Sequence, residues 1–263
     1  MYFMHSQTTS DDAIQAAATL VEASSRIVAL TGAGISTDSG IPDFRGPNGV
    51  WTRDPEAEKQ STISHYLSDP AIRERAWRSR MDHRAWSAEP NAGHRALVQL
   101  EAQRKLLLLV TQNIDGLHQE AGSDPERIVE IHGTMREVAC LDCGWRGPMT
   151  ETLDRVRAGE PDPPCLVCGG ILKSATISFG QNLVAEDVDR AFAAAEAADL
   201  ILAVGSTLGV YPVANMVPVG VRAGASIVIV NGEGTEMDDL ATVVVRGSIS
   251  DVLPRIVGGA ASR

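Results

Sequence analysis

The 263-residue chain contains few aromatic side chains, few cysteines and no long apolar run. Aromatic residues make up only 4% of the chain, so aliphatic side chains and alanine must fill the core. No segment approaches the roughly 18 consecutive apolar residues of a membrane helix, and we expect no membrane association. The length suffices for one large domain together with a smaller one.

Basic residues are also scarce, since 23 Lys and Arg face 34 Asp and Glu and give a net charge of −11. Direct binding to nucleic acids or anionic membranes needs a basic surface, so we expect neither. We interpret the charge as a solvated surface, with a preference for basic protein partners as the alternative. Met1–Ser10 has no Lys or Arg, so we expect a flexible tail rather than a signal peptide, and a cytoplasmic protein.

The four cysteines form two C-x-x-C pairs, Cys140 with Cys143 and Cys165 with Cys168. Two such pairs bring four thiolates to one point, which is the geometry of a closed, structural Zn²⁺ site. Two disulfides or a redox pair are the alternatives, and a reducing cytoplasm disfavours them. The spacing therefore predicts a zinc ion that stabilises the fold.

Short apolar runs alternate with helical patterns along the chain. The predicted strands are Arg26–Thr31, Leu106–Thr111, Ile128–Ile131, Leu200–Val204 and Ser226–Val230. The predicted helices between them are Asp12–Ser24, Ala92–Gln103, Ala185–Ala197 and Pro212–Ala223. Continuous apolar strands are typical of a parallel sheet buried on both faces. The pattern predicts an α/β fold with a Rossmann-like, doubly wound parallel sheet.

Two polar segments interrupt this alternation and predict a small zinc-binding and helical lobe inserted into the sheet domain. Residues 46–90 contain a predicted helix around Pro70–Trp86, and residues 137–171 hold the cysteines. The Rossmann-like domain then comprises residues 11–45, 91–136 and 172–263. We expect a cleft where the lobe meets the sheet domain.

A glycine-rich turn follows the first predicted strand. It consists of Gly32, Ala33 and Gly34, and it lacks the third glycine of the dinucleotide fingerprint. A glycine turn at this place still offers backbone N–H groups to a pyrophosphate. The next loop carries a charge pair and an aromatic ring, in Asp43, Phe44 and Arg45. Closure of this loop over a ligand is one interpretation, and an ordinary surface turn is the other.

Polar side chains also follow the second and third predicted strands. Asn113 and Asp115 lie just beyond one strand, where open α/β sheets bind ligands, although they could instead cap the next helix. His132 follows another strand at the same edge of the sheet. A histidine there suits general-base catalysis, whereas a buried core histidine is the alternative.

The order and spacing of these motifs resemble the sirtuins over about Val28 to Pro254, nearly the whole chain. The pattern is of bacterial type, and it is most similar to the class that includes mitochondrial ADP-ribosyltransferase and lipoamidase sirtuins. The motifs that carry the resemblance are Gly32–Ser36, Gly40–Arg45, Thr111–His118, His132-Gly133, the four cysteines, Phe179-Gly180, Gly205–Leu208 and Val210-x-Pro212.

The resemblance implies an NAD-dependent protein-lysine deacylase that contains Zn²⁺ and acts on acyl-lysine proteins. It further implies that the acyl oxygen attacks the nicotinamide ribose, that nicotinamide leaves, and that O-acyl-ADP-ribose and free lysine are released. His132 would be the general base, with Asn113 and Asp115 as the other catalytic residues. The residues implied in cofactor binding are Gly32, Ala33, Gly34, Asp43, Phe44, Arg45, Gln112, Asn113, Asp115, Gly205, Ser206, Thr207, Asn231 and Ile249. Phe179 and Gly180 would border the acyl-peptide groove.

Several positions depart from the family pattern. Lys173-Ser174 stands where the family often has Arg-Pro, and Gln181 stands where it often has an acidic residue. Sirtuins that remove acidic acyl groups carry Tyr-x-x-Arg, whereas the matching stretch here begins at Trp77 and ends at Arg80. We therefore expect weak desuccinylation.

Three other functions are alternatives to deacylation. Mono-ADP-ribosyl transfer to protein shares the first chemical step. A non-catalytic NAD-sensing module would not need to keep His132 and Asn113. A zinc-ribbon adaptor for nucleic acid fits poorly with the acidic charge. We expect the protein to act as a monomer.

Overall fold

A computed structural model describes residues 11–44, 46, 49–54 and 57–258. Its main feature is a six-stranded sheet in which every neighbouring pair of strands is parallel. The strands are β1 (Ile27–Thr31), β2 (Leu106–Thr111), β3 (Ile128–Glu130), β7 (Leu200–Val204), β8 (Ser226–Val230) and β9 (Val243–Val245). Their order across the sheet is β3-β2-β1-β7-β8-β9. The predicted α/β fold with a doubly wound parallel sheet is confirmed.

Five of these strands were predicted from their apolar runs, with bounds that differ by no more than one residue at either end. The sixth, β9, was missed because it contains only three valines and follows a polar loop. It pairs with β8 through Val228–Val243, so that it closes one side of the sheet.

Helices cover both faces of the sheet. On one face α1 (Asp11–Ala23), α6 (Ala92–Ala102) and α11 (Ile249–Val257) pack in one apolar cluster. On the other face lie α9 (Ala185–Ala197) and α10 (Met216–Ala223), the latter preceded by a 3-10 turn at Val213–Asn215. The prediction of one helix over Pro212–Ala223 was therefore wrong at its start, and α11 was missed.

A second, three-stranded antiparallel sheet forms the core of the small lobe. Its strands are β4 (Gly133–Cys140), β5 (Arg146–Pro148) and β6 (Leu172–Thr176), in the order β5-β4-β6. Helix α8 (Met149–Arg157) packs on it and was not predicted. The sheet uses residues on both sides of the expected boundaries at 136/137 and 171/172, and the domain limits stay a prediction.

The helical segment contributes four short elements to this lobe. They are α2 (Val50–Arg53), α3 (Ala57–Gln60), α4 (Ile63–Ser68) and α5 (Pro70–Met81), followed by a 3-10 turn at Arg84–Trp86. Helix α5 begins at Pro70, where the carboxylate of Asp69 accepts from the N–H of Ala71, as an N-cap does. Trp77 anchors α5 in the apolar cluster of the small sheet, with only 1% of its surface exposed.

A small apolar cluster joins the two lobes through Ile41, Ala85, Leu117 and Met135. These residues come from the segment after β1, the helical segment, the short helix α7 (Leu117–Glu120) and strand β4. None of the helices in the described part of the chain has the length and apolar character needed to cross a membrane. The predicted tail Met1–Ser10 lies outside the described residues.

Candidate active site

The predicted site residues meet at the carboxyl edge of the large sheet. Connections from β1 run to β2 and β3 on one side, whereas β7, β8 and β9 extend the sheet on the other. The order therefore reverses between β1 and β7, and open α/β sheets bind ligands at such a switch point. Gly32 follows β1 and Gly205 follows β7, so both glycine loops begin there.

The two glycine loops touch each other through their backbones. The N–H of Gly34 donates to the carbonyl of Gly205 at 2.8 Å, and the N–H of Gly32 donates to the carbonyl of Val204 at 3.0 Å. A Cβ on Gly34 would lie 2.7 Å from the Cα of Gly205, and Gly205 itself has a φ of +66°. Side chains at these positions would force the loops apart.

A buried polar network lies directly beneath the first glycine turn. The hydroxyl of Ser36 donates to the carboxylate of Asp115 at 2.8 Å and accepts from the side-chain amide of Asn113 at 3.1 Å. The same amide donates to the carbonyl of Gly32 at 3.1 Å. Asp115 also accepts from the N–H of Leu117 at 2.9 Å, at the start of the short helix α7 (Leu117–Glu120). The N-cap position of this helix is Gly116, so the carboxylate of Asp115 joins the network and contacts the first residue of the helix without being its N-cap.

Gln112 links the network to the β7 loop and to the candidate base. Its side-chain amide donates to the hydroxyl of Ser206 at 2.9 Å. Its backbone carbonyl lies 3.1 Å from Nδ1 of His132. One residue therefore fixes positions on both sides of the switch point.

The hydrogen bond to Gln112 defines the state of His132. Since a carbonyl can only accept, Nδ1 of His132 must carry the proton, and Nε2 keeps its lone pair. Burial lowers the pKa of His132 below its ordinary 6.5, and the Gln112 carbonyl opposes this shift in part. The ring is therefore neutral near pH 7, which is the form a general base requires.

A cleft of about 1310 Å³ runs between the sheet edge and the small lobe. Ligand sites for single small molecules have about 300–1,000 Å³, so this cleft has room for a large ligand together with a substrate side chain. The predicted residues that line it are Gly32, Ala33, Gly34, Asp43, Phe44, Gln112, Asn113, Asp115, His132, Gly205, Ser206, Thr207, Asn231 and Ile249. Arg45 lies outside the described residues.

The far end of the cleft is bordered by the loops after β8 and β9. Asn231 is buried, and its side-chain amide donates to the carbonyl of Glu233 at 2.9 Å. Ile249 is buried at the start of α11. On the near side, the carboxylate of Asp43 accepts from the N–H of Gly46 at 3.0 Å and shapes the loop that carries Phe44.

The small-lobe wall of the cleft carries Phe179 and two cations, the buried Lys173 and the half-buried Arg80. The backbone of Phe179 bonds to the helical segment, through its N–H to Ser61 and its carbonyl to Ile63. Arg80 is half-buried and donates to the hydroxyl of Ser174 at 3.2 Å. Burial in the first place, and the charge of Arg80 in the second, lower the pKa of Lys173 to about 7.

The four cysteines converge as predicted. Their sulfur atoms all lie within 4.8 Å of one another, with 3.5 Å between Cys140 and Cys168 and 3.9 Å between Cys143 and Cys165. Tetrahedral zinc with Zn–S bonds of about 2.3 Å separates its ligands by roughly 3.8 Å, so the cluster suits Zn²⁺. The thiols are not paired as disulfides.

Two residues of the site were missed from the sequence. Ser36 belongs to the Gly32–Ser36 motif, but nothing in the pattern showed that its hydroxyl is buried. Asn91 caps α6, and its amide also donates to the carbonyl of Ile35 at 2.7 Å and to Ser39 at 2.9 Å. An Asn before a helix signals a cap, but its second contact is visible only in the fold.

Fold and site together define a class of protein, namely a doubly wound α/β protein with a ligand cleft at its switch point and a four-cysteine module. The model of the Sir2 family matches residues 32–212. The chain belongs to the Sir2 family.

Its relatives include NAD-dependent protein deacetylase 2 of Streptomyces coelicolor, which is 50% identical over 233 residues, or 89% of this chain and 97% of the relative. A structure solved in work on the mechanism and regulation of Sir2 enzymes has a TM-score of 0.85 at 38% identity and covers 94% of this chain and 97% of its own. A Sir2 complex with a deacetylated p53 peptide and 3′-O-acetyl-ADP-ribose has a TM-score of 0.84 at 33% identity, covering 92% and 96%.

Proposed function

We propose that the protein is an NAD-dependent protein-lysine deacetylase that transfers the acyl group of acyl-lysine to ADP-ribose. The observation that carries this proposal is the position of His132, which lies in the wall of the cleft with its Nδ1 atom 3.1 Å from the Gln112 carbonyl. The relative from Streptomyces coelicolor supports it, because that protein is named as an NAD-dependent deacetylase.

The residues of the cleft fit a dinucleotide. The two glycine loops place backbone without side chains at the switch point, where a dinucleotide can approach closely. Buried polar side chains line the cleft next to them, namely Asn113, Asp115 and Ser206. When bound, NAD would supply an electrophilic ribose carbon, a nicotinamide leaving group and ribose hydroxyls that take over the acyl group. Thr207 and Asn231 line the same cleft toward α11, where we place the adenosine half.

His132 would remove a proton from a ribose hydroxyl at its Nε2 atom. The Nδ1–H bond to Gln112 fixes the tautomer and the ring orientation. The lone pair on Nε2 is therefore available without a change of tautomer or a flip of the ring. Asn113 and Asp115 are tied to Ser36 and would hold the ribose in register with this base. Phe44, with 41% of its surface exposed on the cleft, would shield the reacting carbon from water.

The substrate is an acylated lysine on another protein. Phe179 and Gly180 line the cleft on the small-lobe side, at a parallel bridge between Thr62 and Phe179. We place the peptide groove there, because extended backbone beside a strand-like segment can be recognised through main-chain hydrogen bonds. The physiological target proteins, a monomeric state and a cytoplasmic location stay predictions.

The test is a mass-spectrometric assay of an acetyl-lysine peptide with and without NAD. We expect loss of the acetyl group only with NAD, and its abolition in His132→Ala. His65→Ala is the matched control, because His65 is exposed and lies outside the cleft. If His132→Ala is as active as His65→Ala, the assignment of the base is wrong.

The same assay separates the two other functions. Transfer of ADP-ribose to a protein without loss of the acetyl group would establish the transferase. Binding of NAD without either reaction would establish a sensing module, and both results would overturn the proposal.

A further inference from the structure

Arg136 joins three parts of the molecule that meet at the cleft. It lies on β4, midway between His132 and the first zinc ligand, Cys140. Its side chain is not among those implied by the resemblance, and it does not line the cleft. Its contacts with the site residues are therefore made from outside the cleft.

The guanidinium of Arg136 holds the loop after β2 by its backbone. Its Nε–H donates to the carbonyl of Asp115 at 3.0 Å. Its side chain also lies against Gly116, where a Cβ would come within 3.0 Å of Nε. Gly116 has a φ of +78°, a conformation that favours glycine, and the absence of a side chain lets the arginine pack against the turn.

A second nitrogen atom of Arg136, Nη2, connects that loop to its surroundings. Nη2 pairs with the carboxylate of Glu120 and lies 3.5 Å from the carbonyl of Ala85. The guanidinium carbon stands 5.2 Å from the centre of the Trp86 ring, within cation–π range. Ala85 and Trp86 belong to the helical segment, so one side chain ties the small lobe to the loop.

The consequence for the site follows from Asp115. Its carbonyl is held by Arg136, and its carboxylate holds the hydroxyl of Ser36, which in turn accepts from Asn113. A shift of the Asp115 backbone therefore moves both polar groups beside the first glycine turn. A fixed fork of donors is needed to satisfy these acceptors together, which arginine provides and lysine does not.

We infer that Arg136 is a positioning residue that sets the affinity for NAD by fixing Asp115, and through it Ser36 and Asn113, against the small lobe. The inference rests on the proposed function, because it takes the Asn113–Asp115 loop to hold the nicotinamide ribose.

The test compares Arg136→Met, Arg136→Lys and the control Arg146→Met. Methionine keeps apolar contact with Gly116 and Trp86 but removes every donor. Arg146 forms an exposed pair with Glu137 in the same small sheet and has no contact with the Asp115 loop. We expect Arg136→Met to raise KM for NAD about tenfold, as for a lost charge-assisted hydrogen bond, with KM for the acetyl peptide unchanged. Arg136→Lys should recover part of this loss.

If Arg136 served only to stabilise the fold, the kinetic constants of Arg136→Met would change in a different way. The substitution would reduce kcat in proportion to the fraction of folded, zinc-loaded protein and leave KM for NAD as in Arg146→Met. That result, or equal KM values for all variants, would overturn the inference while the deacetylase stands.

Calorimetric titration with NAD is run in parallel. If the wild type binds NAD but does not deacetylate, the proposed function fails, and a tenfold weaker Kd in Arg136→Met still supports the inference. If the wild type does not bind NAD, both fail.

Discussion

At the residue scale, two structural features identify His132 as a candidate base. The sequence places this histidine after a strand, where a buried core histidine is the alternative interpretation. The structure adds a carbonyl at Nδ1 and a cleft in front of the ring. These two features depend on strands separated in sequence, so the sequence alone could not supply them.

The pH dependence of catalysis follows from the same burial. His132 is active as the neutral ring, and burial lowers its pKa below 6.5. The rate constant kcat/KM therefore falls as the pH drops through this lowered pKa, and His132 contributes no change above it. We expect the acidic limb of the profile to have an apparent pKa below 6.5. A limb centred above 7 would contradict this account of the base, provided that Kd for NAD is constant over the same range.

Ser36 provides a test of the buried network. Its replacement by alanine leaves the carboxylate of Asp115 and the amide of Asn113 each without one partner. Unpaired buried groups of this kind cost about 1–3 kcal/mol. We expect Ser36→Ala to lower the free energy of unfolding by that amount and to weaken NAD binding, as measured by urea denaturation and calorimetry. Ser64→Ala, at an exposed serine, is the control, and equal behaviour of the two variants would contradict the network's role.

At the scale of elements, the strands were easier to predict than the insertions. The runs at Leu106–Val110 and Leu200–Val204 are apolar throughout, and every residue in them except Leu107 is buried because helices cover both faces of the sheet. Helix α8 was missed because its apolar face belongs to a small core built around Cys140 and Cys165. Such a core has no long period in the sequence, and its partners come from distant segments.

The small sheet and its cysteines should depend on zinc. Cys140 lies at the end of β4 and packs with Val138, Met149 and Leu172 in one cluster. Coupling of structural zinc to folding amounts to about 10 kcal/mol or more. We expect zinc removal by a chelator, or Cys140→Ala, to abolish the hydrogen-exchange protection of residues 133–176. The protection of β1 and β7 should persist.

Unchanged protection of the small sheet after complete removal of the metal would contradict a structural role for zinc. Metal content must be measured by mass spectrometry alongside the exchange experiment, because zinc that remained bound would also leave the protection unchanged. Readdition of Zn²⁺ should restore the protection in the wild type but not in Cys140→Ala.

At the scale of the whole molecule, the cleft between the two lobes is where an acyl group would be accepted, and Trp77 and Arg80 both line it. Trp77 lies in the core of the small lobe, and the hydroxyl of Tyr66 donates to the carbonyl of Leu172 at 2.8 Å. Arg80 is already bound to Ser174. A substrate carboxylate at this wall would meet the indole N–H of Trp77, which has no partner among the described residues, and the N–H groups of Arg80 that Ser174 does not use. Trp77 is a neutral donor and lacks the phenol hydroxyl of the Tyr-x-x-Arg pattern, so we expect slower removal of acidic acyl groups.

We expect succinyl-lysine to be removed about tenfold more slowly than acetyl-lysine from the same peptide, measured as kcat/KM. Faster removal of succinyl would contradict this and would assign the carboxylate to Arg80. In that case Arg80→Met should abolish the preference and spare the acetyl reaction.

The most direct test of the deacetylase assignment is the identity of its products. An acetyl-lysine peptide and NAD are incubated with the protein, and the products are quantified by liquid chromatography and mass spectrometry. The account predicts nicotinamide, free lysine peptide and O-acetyl-ADP-ribose in equal amounts, with none of them formed by His132→Ala. Free acetate without O-acetyl-ADP-ribose, or ADP-ribosylated protein in its place, would contradict it.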